Sequence, residues 1–214
     1  MIVYEPFKRV PIRDFVDELR FEFPNVPDDL FIHLLRKTAI TMARKGHLVR
    51  RFAYLDSQPG VTRYRLSSPD GEEICGVHGI YAEACCGGHA ITRAFVEPED
   101  AALCCAKDVA WYDDAEGVLH IDACHCGQRY RVAVSTAPGR EACDLPEVFM
   151  QSHFDLLLLG TKAAIMLMAG RPWSNMRLGT GYHDLFSKQL LEAAVGTATH
   201  KQRGAVKMNF GRAI

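Results

Sequence analysis

The chain has 214 residues, 48% hydrophobic and 24% charged, with a formal net charge of −1. That length buries a core without disulfide or metal staples, and the composition is that of an ordinary globular protein. The even charge balance excludes an overall basic footprint for nucleic acid; the local exception is the last stretch, where His200, Lys201, Arg203, Lys207 and Arg212 stand without an acid.

The opening "MIVYEPFKRV" has no apolar stretch of signal-peptide length. The most apolar run, Phe154–Gly170, is interrupted by Asp155 and Lys162 and falls short of the roughly 20 apolar residues that span a bilayer. Synthesis in the cytoplasm, no membrane partner and eight reduced cysteines are therefore expected.

In chain order, residues 1–50 read as helical. Phe15, Val16, Leu19 and Phe23 lie on one side of a short helix ended by Pro24. A second helix is punctuated by Pro27, Asp28 and Asp29 at its start and by Arg44, Lys45 and a terminating Gly46. Its apolar stripe is Leu30, Phe31, Leu34, Leu35, Ala39 and Met42. Residues 51–146 are β-prone and cut by turn signals at Gln58–Gly60 and Ser68–Gly71. Short strands follow at Ile91–Val96, Val109–Tyr112, Val118–Ala123 and Tyr130–Ser135, with "DDAEG" (Asp113–Gly117) as a hairpin connection. Residues 147–202 return to helix, first to a stop at Gly170 and then, after "RPWSN", from about Arg177 to His200. The expected fold class is α+β: a four-helix-bundle-like core from residues 1–50 and 147–202, a central antiparallel β insertion over 51–146, and an extended tail over 203–214.

The sulfur-rich segment "HIDACHCGQRY" (His120–Tyr130) is the densest chemical feature. As a half-buried strand it turns Leu119, Ile121 and Ala123 one way and His120, Asp122, Cys124 and Cys126 the other, and "RYRVAVS" is its expected partner. Cys124 and Cys126, joined by His78, His89 or Cys143, are the candidate metal ligands. The chain contains no C-x-x-C pair, however, and buried cysteine ordinarily behaves as a small hydrophobe. A nucleophile built on Cys85, Cys86 and His89, or on Cys124 and His125, lacks any local enzyme signature, and "GTG" at Gly179–Gly181 is not a phosphate-binding loop. No catalytic residue, cofactor or metal is assigned. A zinc-binding regulatory or enzymatic protein built on the Cys/His-rich β region stays as the alternative.

Interfaces are the better candidates. The Phe154–Gly170 run is apolar nearly all round, so Leu156, Leu159, Ile165 and Met168 are expected in the subunit core or between subunits. Trp173 is the expected anchor where the last two helices meet. In the tail, Val206, Met208, Phe210 and Ile214 alternate with basic positions, which suits docking on another chain better than a plain phosphate clamp.

The stretch Asp144–Val195 resembles the C-terminal part of the head-to-tail adaptor (connector) proteins of short-tailed bacteriophages. The resemblance rests on the "LPE" entry at Leu145–Glu147, the alanine-containing apolar helix, "GRPWSN" at Gly170–Asn175, and a following helix with Phe186 in its first half. "FPNVPDDLFIHLLRKTAITMARK" and "GVTRYRLSSPDGEEICGVHGIY" are similar to the early helix and first strands of that family; residues 82–126 show no match. The resemblance implies a non-enzymatic virion structural protein in the neck between capsid and tail. Such subunits form rings, commonly of twelve copies, that bind the portal and the tail or nozzle proteins. They close the packaged head, and DNA passes through the ring without sequence-specific contact.

Overall fold

The computed structural model describes residues 2–69, 71–82, 94–95, 109–121 and 129–203. The chain begins with two short strands, β1 (Ile2–Tyr4) and β2 (Arg9–Pro11), and a 3₁₀ turn (Ile12–Phe15) that runs into α1 (Val16–Glu22). Phe15, Val16, Leu19 and Phe23 are all buried, as their spacing requires. Pro24 stops the helix, and α2 (Asp28–Gly46) restarts after Pro27 with Asp28 and Asp29 at the positive end of its dipole.

Gly46 does not terminate α2 by adopting a left-handed conformation; His47 does, at φ 49°. Gly46 is the last helical residue, and a Cβ there would lie 2.8 Å from Leu190 Cδ1 and 2.9 Å from Leu48 Cγ. Close packing, not conformational freedom, requires this glycine.

The strands form three sheets. The first runs β1–β3–β9–β5, where β3 is Arg50–Asp56, β5 Glu72–Ala82 and β9 Arg129–Pro138; every pair is antiparallel. The second runs β4–β8–β7–β6, with β4 Arg63–Arg65, β6 Ala94–Phe95, β7 Val109–Asp113 and β8 Val118–Ile121, and is antiparallel apart from the β6–β7 pair. The third is the two-stranded pair β2–β10, with β10 Asp144–Pro146. Ala53, Leu55, Ile80, Val132 and Val134 of the first sheet share a core with Ala110, Tyr112, Leu119 and Ile121 of the second.

After β10 come α3 (Val148–Gln151), α4 (Phe154–Met166) and α5 (Met176–Arg203). The helix expected from Glu147 is thus broken at Ser152–His153, and Gly170 at φ 73° turns the chain towards α5.

The four-helix-bundle expectation is overturned: the protein is α+β, but its helices do not form such a core. Only α2, α4 and α5 are long among the described helices; α1 has seven residues and α3 four. A bundle needs four helices that each carry an apolar stripe over several turns. Here α4 packs between α2 and α5, while α2 also lies against β9. Ala137 of β9 and Leu145 of β10 complete the helical core with Phe31, Leu35, Leu157 and Phe186.

A second correction concerns the expected hairpin between Val118–Ala123 and Tyr130–Ser135. β8 pairs with β7 and β4, whereas β9 is central to the other sheet between β3 and β5. Sequence adjacency suggested the pairing, but both flanks of each strand are taken by other partners. The "DDAEG" connection does form: Gly117 adopts φ 66°, its N–H donates to the Asp113 carbonyl at 2.8 Å, and Asp113 Oδ1 accepts from the Ala115 N–H.

Candidate functional site

The segment Arg50–Asp56 alternates strictly. Arg51, Ala53 and Leu55 are buried, while Arg50, Phe52, Tyr54 and Asp56 stand on the opposite face of the first sheet. In β9, Tyr130, Val132 and Val134 go inward and Arg129, Arg131 and Ala133 outward. The register sets Tyr54 opposite Arg131, Asp56 opposite Arg129 and Phe52 opposite Ala133; on the other flank Tyr81 of β5 is opposite Arg131. Val3 of β1, 48% exposed, stands opposite Tyr54 and extends the face.

The result is an arginine–aromatic face. The Arg131 guanidinium lies 4.4 Å from the Phe52 ring centroid and 5.6 Å from that of Tyr81, and the two rings meet edge to face at 6.4 Å. The Arg129 guanidinium lies 5.3 Å from the Tyr54 ring and 3.5 Å from Asp56 Oδ1. Neither Arg131 nor Arg50 has a carboxylate partner among the described residues. Burial pulls the Arg50 guanidinium below the ordinary arginine value, partly opposed by Tyr81. A guanidinium held over aromatic rings can still present N–H donors to carboxylate or phosphate oxygens.

Where this face meets the end of α2, His47 Nδ1 lies 2.9 Å from Ser135 Oγ, and the His47 and His78 rings meet edge to face at 5.0 Å. Ser135 Oγ also donates to the Gly76 carbonyl at 3.5 Å, and a Cβ at Gly76 would touch the His47 ring at 3.4 Å. Among the described residues no group of three or more His, Cys, Asp or Glu side chains converges in a metal-binding arrangement.

The inner face of the same strand carries a charge-balanced network instead. Arg51 and Glu72 are paired at 2.8 Å with side chains 7% and 1% exposed, and Arg9 joins Glu72 at 2.5 Å and Asp144 at 2.7 Å. Arg51 also donates to the Glu5 carbonyl and lies between the rings of Tyr4 (5.1 Å) and Phe7 (4.5 Å). Desolvation pushes the Tyr4 hydroxyl up to about 12, and it donates to the Ser67 carbonyl at 2.6 Å. This network ties β1, β3, β5 and the β2–β10 pair together.

Of the sequence-derived candidates, Leu156 and Ile165 are buried in the helical core, and Leu159, Met168 and Trp173 are half-buried against it. Trp173 lies in the turn between α4 and α5, where its Nε1 has no acceptor among the described residues. His78 pairs with His47 rather than with a described cysteine. Cys143 is exposed and free, and its Sγ makes a 3.7 Å contact with the Glu141 carbonyl. His89, Cys124, Cys126, Val206, Met208, Phe210 and Ile214 lie outside the described residues.

Sequence reasoning missed the arginine–aromatic face. Its signal was present in the alternation of "RRFAYLD" and "RYRV", but the pairing that stacks one segment on the other is not local. No family model and no curated protein sequence matches this chain. Among the described residues no helix is long and apolar enough to cross a membrane.

Proposed function

We propose that this protein is a non-enzymatic virion structural protein of the head-to-tail adaptor kind. Its copies assemble as a ring between portal and tail, close the packaged head and provide the platform for tail proteins around a DNA channel. The observation that carries this reading is the shape and surface of α5. It has 28 residues, about 42 Å of helix, and packs its Gly179, Phe186 and Leu190 side on α4 and α2. Leu178, Leu185, Leu191 and Val195 are left 42–66% exposed on its other sides. Exposed apolar residues spaced along one long helix support a partner surface. The "GRPWSN" turn at Gly170–Asn175, which carries the family resemblance, sets the direction of this helix: the Asn175 N–H donates to the Met166 carbonyl at 2.9 Å and Asn175 Oδ1 accepts from the Leu178 N–H at 3.1 Å.

Negative-stain electron microscopy of the full chain, alone and with the portal protein of the same genome, tests the proposal. Closed rings, with the channel axis aligned to the portal, are the expected result. A protein that stays monomeric with portal present, and is absent from purified particles by mass spectrometry, overturns it.

A further inference from the structure

The arginine–aromatic face carries two guanidiniums, Arg50 and Arg131, without a carboxylate partner among the described residues. Its third, Arg129, pairs with Asp56. Arg131 already lies over the Phe52 and Tyr81 rings, and Arg129 over Tyr54. Base stacking, which single-stranded nucleic acid would need here, would have to compete with the protein's own cations. The edges of the guanidiniums and the exposed Val3 remain, a combination suited to carboxylates beside an apolar side chain.

The same chain displays such a group elsewhere. Phe21 in α1 is 91% exposed, the most exposed of the large hydrophobic side chains among the described residues. Residues 13–29 around it hold six acids against two arginines. Arg20 is occupied by Asp17 and Asp28, and Glu22 by Lys162. Asp14 and Glu18 have no cationic partner among the described residues, and Glu18 shares a helix face with Phe21. α1 is thus an acidic corner carrying one protruding aromatic ring.

The two surfaces lie at opposite ends of α2. The corner is tied to its first turn through Arg20 and Asp28 at 2.5 Å, and the face begins just past its last turn, where Arg50 Nε approaches the His47 carbonyl at 3.4 Å. Nineteen helical residues hold them about 28 Å apart, so they cannot meet within one chain. We infer that the outer face of the β1–β3–β9–β5 sheet receives the α1 corner of a second copy, with Phe21 seated against Val3 and Phe52 and with Asp14 and Glu18 on Arg131 and Arg50. Because donor and receptor surfaces differ, the contact is head-to-tail and repeats from copy to copy, closing into a ring where the rotation allows. The inference rests on the ring reading above and names the subunit contact within it.

Sedimentation velocity over a concentration series, at low and high salt, tests it on the full chain with Phe21→Ser, Glu18→Arg and Arg131→Glu. Circular dichroism checks folding, which these exposed positions should leave intact. Wild type should self-associate, less so in high salt, and Phe21→Ser or Arg131→Glu should weaken association about tenfold or more. Glu18→Arg combined with Arg131→Glu should regain part of the loss. Mixing Phe21→Ser with Arg131→Glu should give dimers and nothing larger, because one intact corner then meets one intact face. Rings that form equally well in all variants overturn this contact and leave the ring reading standing. A wild type that stays monomeric throughout overturns this contact, and the ring reading is then decided by the experiment with portal. Unchanged self-association, with Arg131→Glu abolishing binding of labelled oligothymidine, overturns the contact in favour of nucleic acid.

Discussion

Glu72 has only 1% of its side chain exposed and serves two guanidiniums, Arg9 and Arg51, at the junction of three strands and a strand pair. Breaking a buried pair by removing one partner costs more than the pair contributes, because the remaining charge stays buried. Glu72→Ala should therefore lower stability by about 3–5 kcal/mol, measured by urea denaturation, with β1 and the β2–β10 pair losing amide protection first. Arg50 and Arg51 show how little residue type says at this scale. They are adjacent and identical, yet strand alternation sends one to a buried network and the other to an open face. Alternation was readable from the chain; the carboxylate waiting twenty-one residues away was not. Two histidines set a pH response. Burial lowers the imidazole of His153 below its ordinary 6.5, and burial followed by the charge of Arg63 does the same for His120, which stacks on Trp111 at 3.8 Å. A folded-state value below the unfolded one means that the unfolded chain binds more protons as the pH drops below 6.5. The protein should lose stability from about pH 6.5 downward, and His153→Gln should flatten that slope in thermal melts run across the pH series.

At the level of elements, the crossing of the three long helices is set by a glycine. A Cβ on Gly160 would lie 2.7 Å from Phe186 Cε2 on α5 and 2.7 Å from Thr38 Cγ2 on α2, so α4 approaches both neighbours through one missing methyl. Gly160→Ala should destabilise by roughly 1–3 kcal/mol, with the loss visible in the midpoint of guanidinium unfolding. Gly46 plays the same part between α2 and α5. Helix existence was legible because the apolar stripe of α2 and the stop at Pro24 are local features. Their roles were less so: Gly46 resembles a terminator in sequence and acts as a packing surface. The strand assignments behave alike. Strands were legible at Val118–Ala123 and Tyr130–Ser135, but the partners of β8 and β9 are other segments, so the expected hairpin gave way to two separate sheets.

For the whole molecule, two apolar clusters are linked by β9, which contributes Tyr130, Val132 and Val134 to the core between the sheets and Ala137 to the core under the helices. A strand shared in this way couples the halves, so both should unfold in one transition. Ile80→Ala in the sheet core and Leu157→Ala in the helical core should each cost about 2–5 kcal/mol and shift the same calorimetric peak; two separate peaks would show that the halves melt independently. The division of the chain into helical ends and a β-rich middle follows from its own periodicities and punctuation, because those depend on residues a few positions apart. The same local rules set which residues lie on the buried side of α2, β3 and β8. Tertiary structure alone decided that β1 joins the first sheet, that β8 and β9 lie in different sheets, and that α2 rests on a strand instead of completing a bundle. It also decided that Arg131 lies against Phe52 and Tyr81 and that Phe21 stands out among acids at the far end of α2. These depend on pairing and packing between segments far apart in sequence, where burial across the whole chain, not local preference, selects the partner.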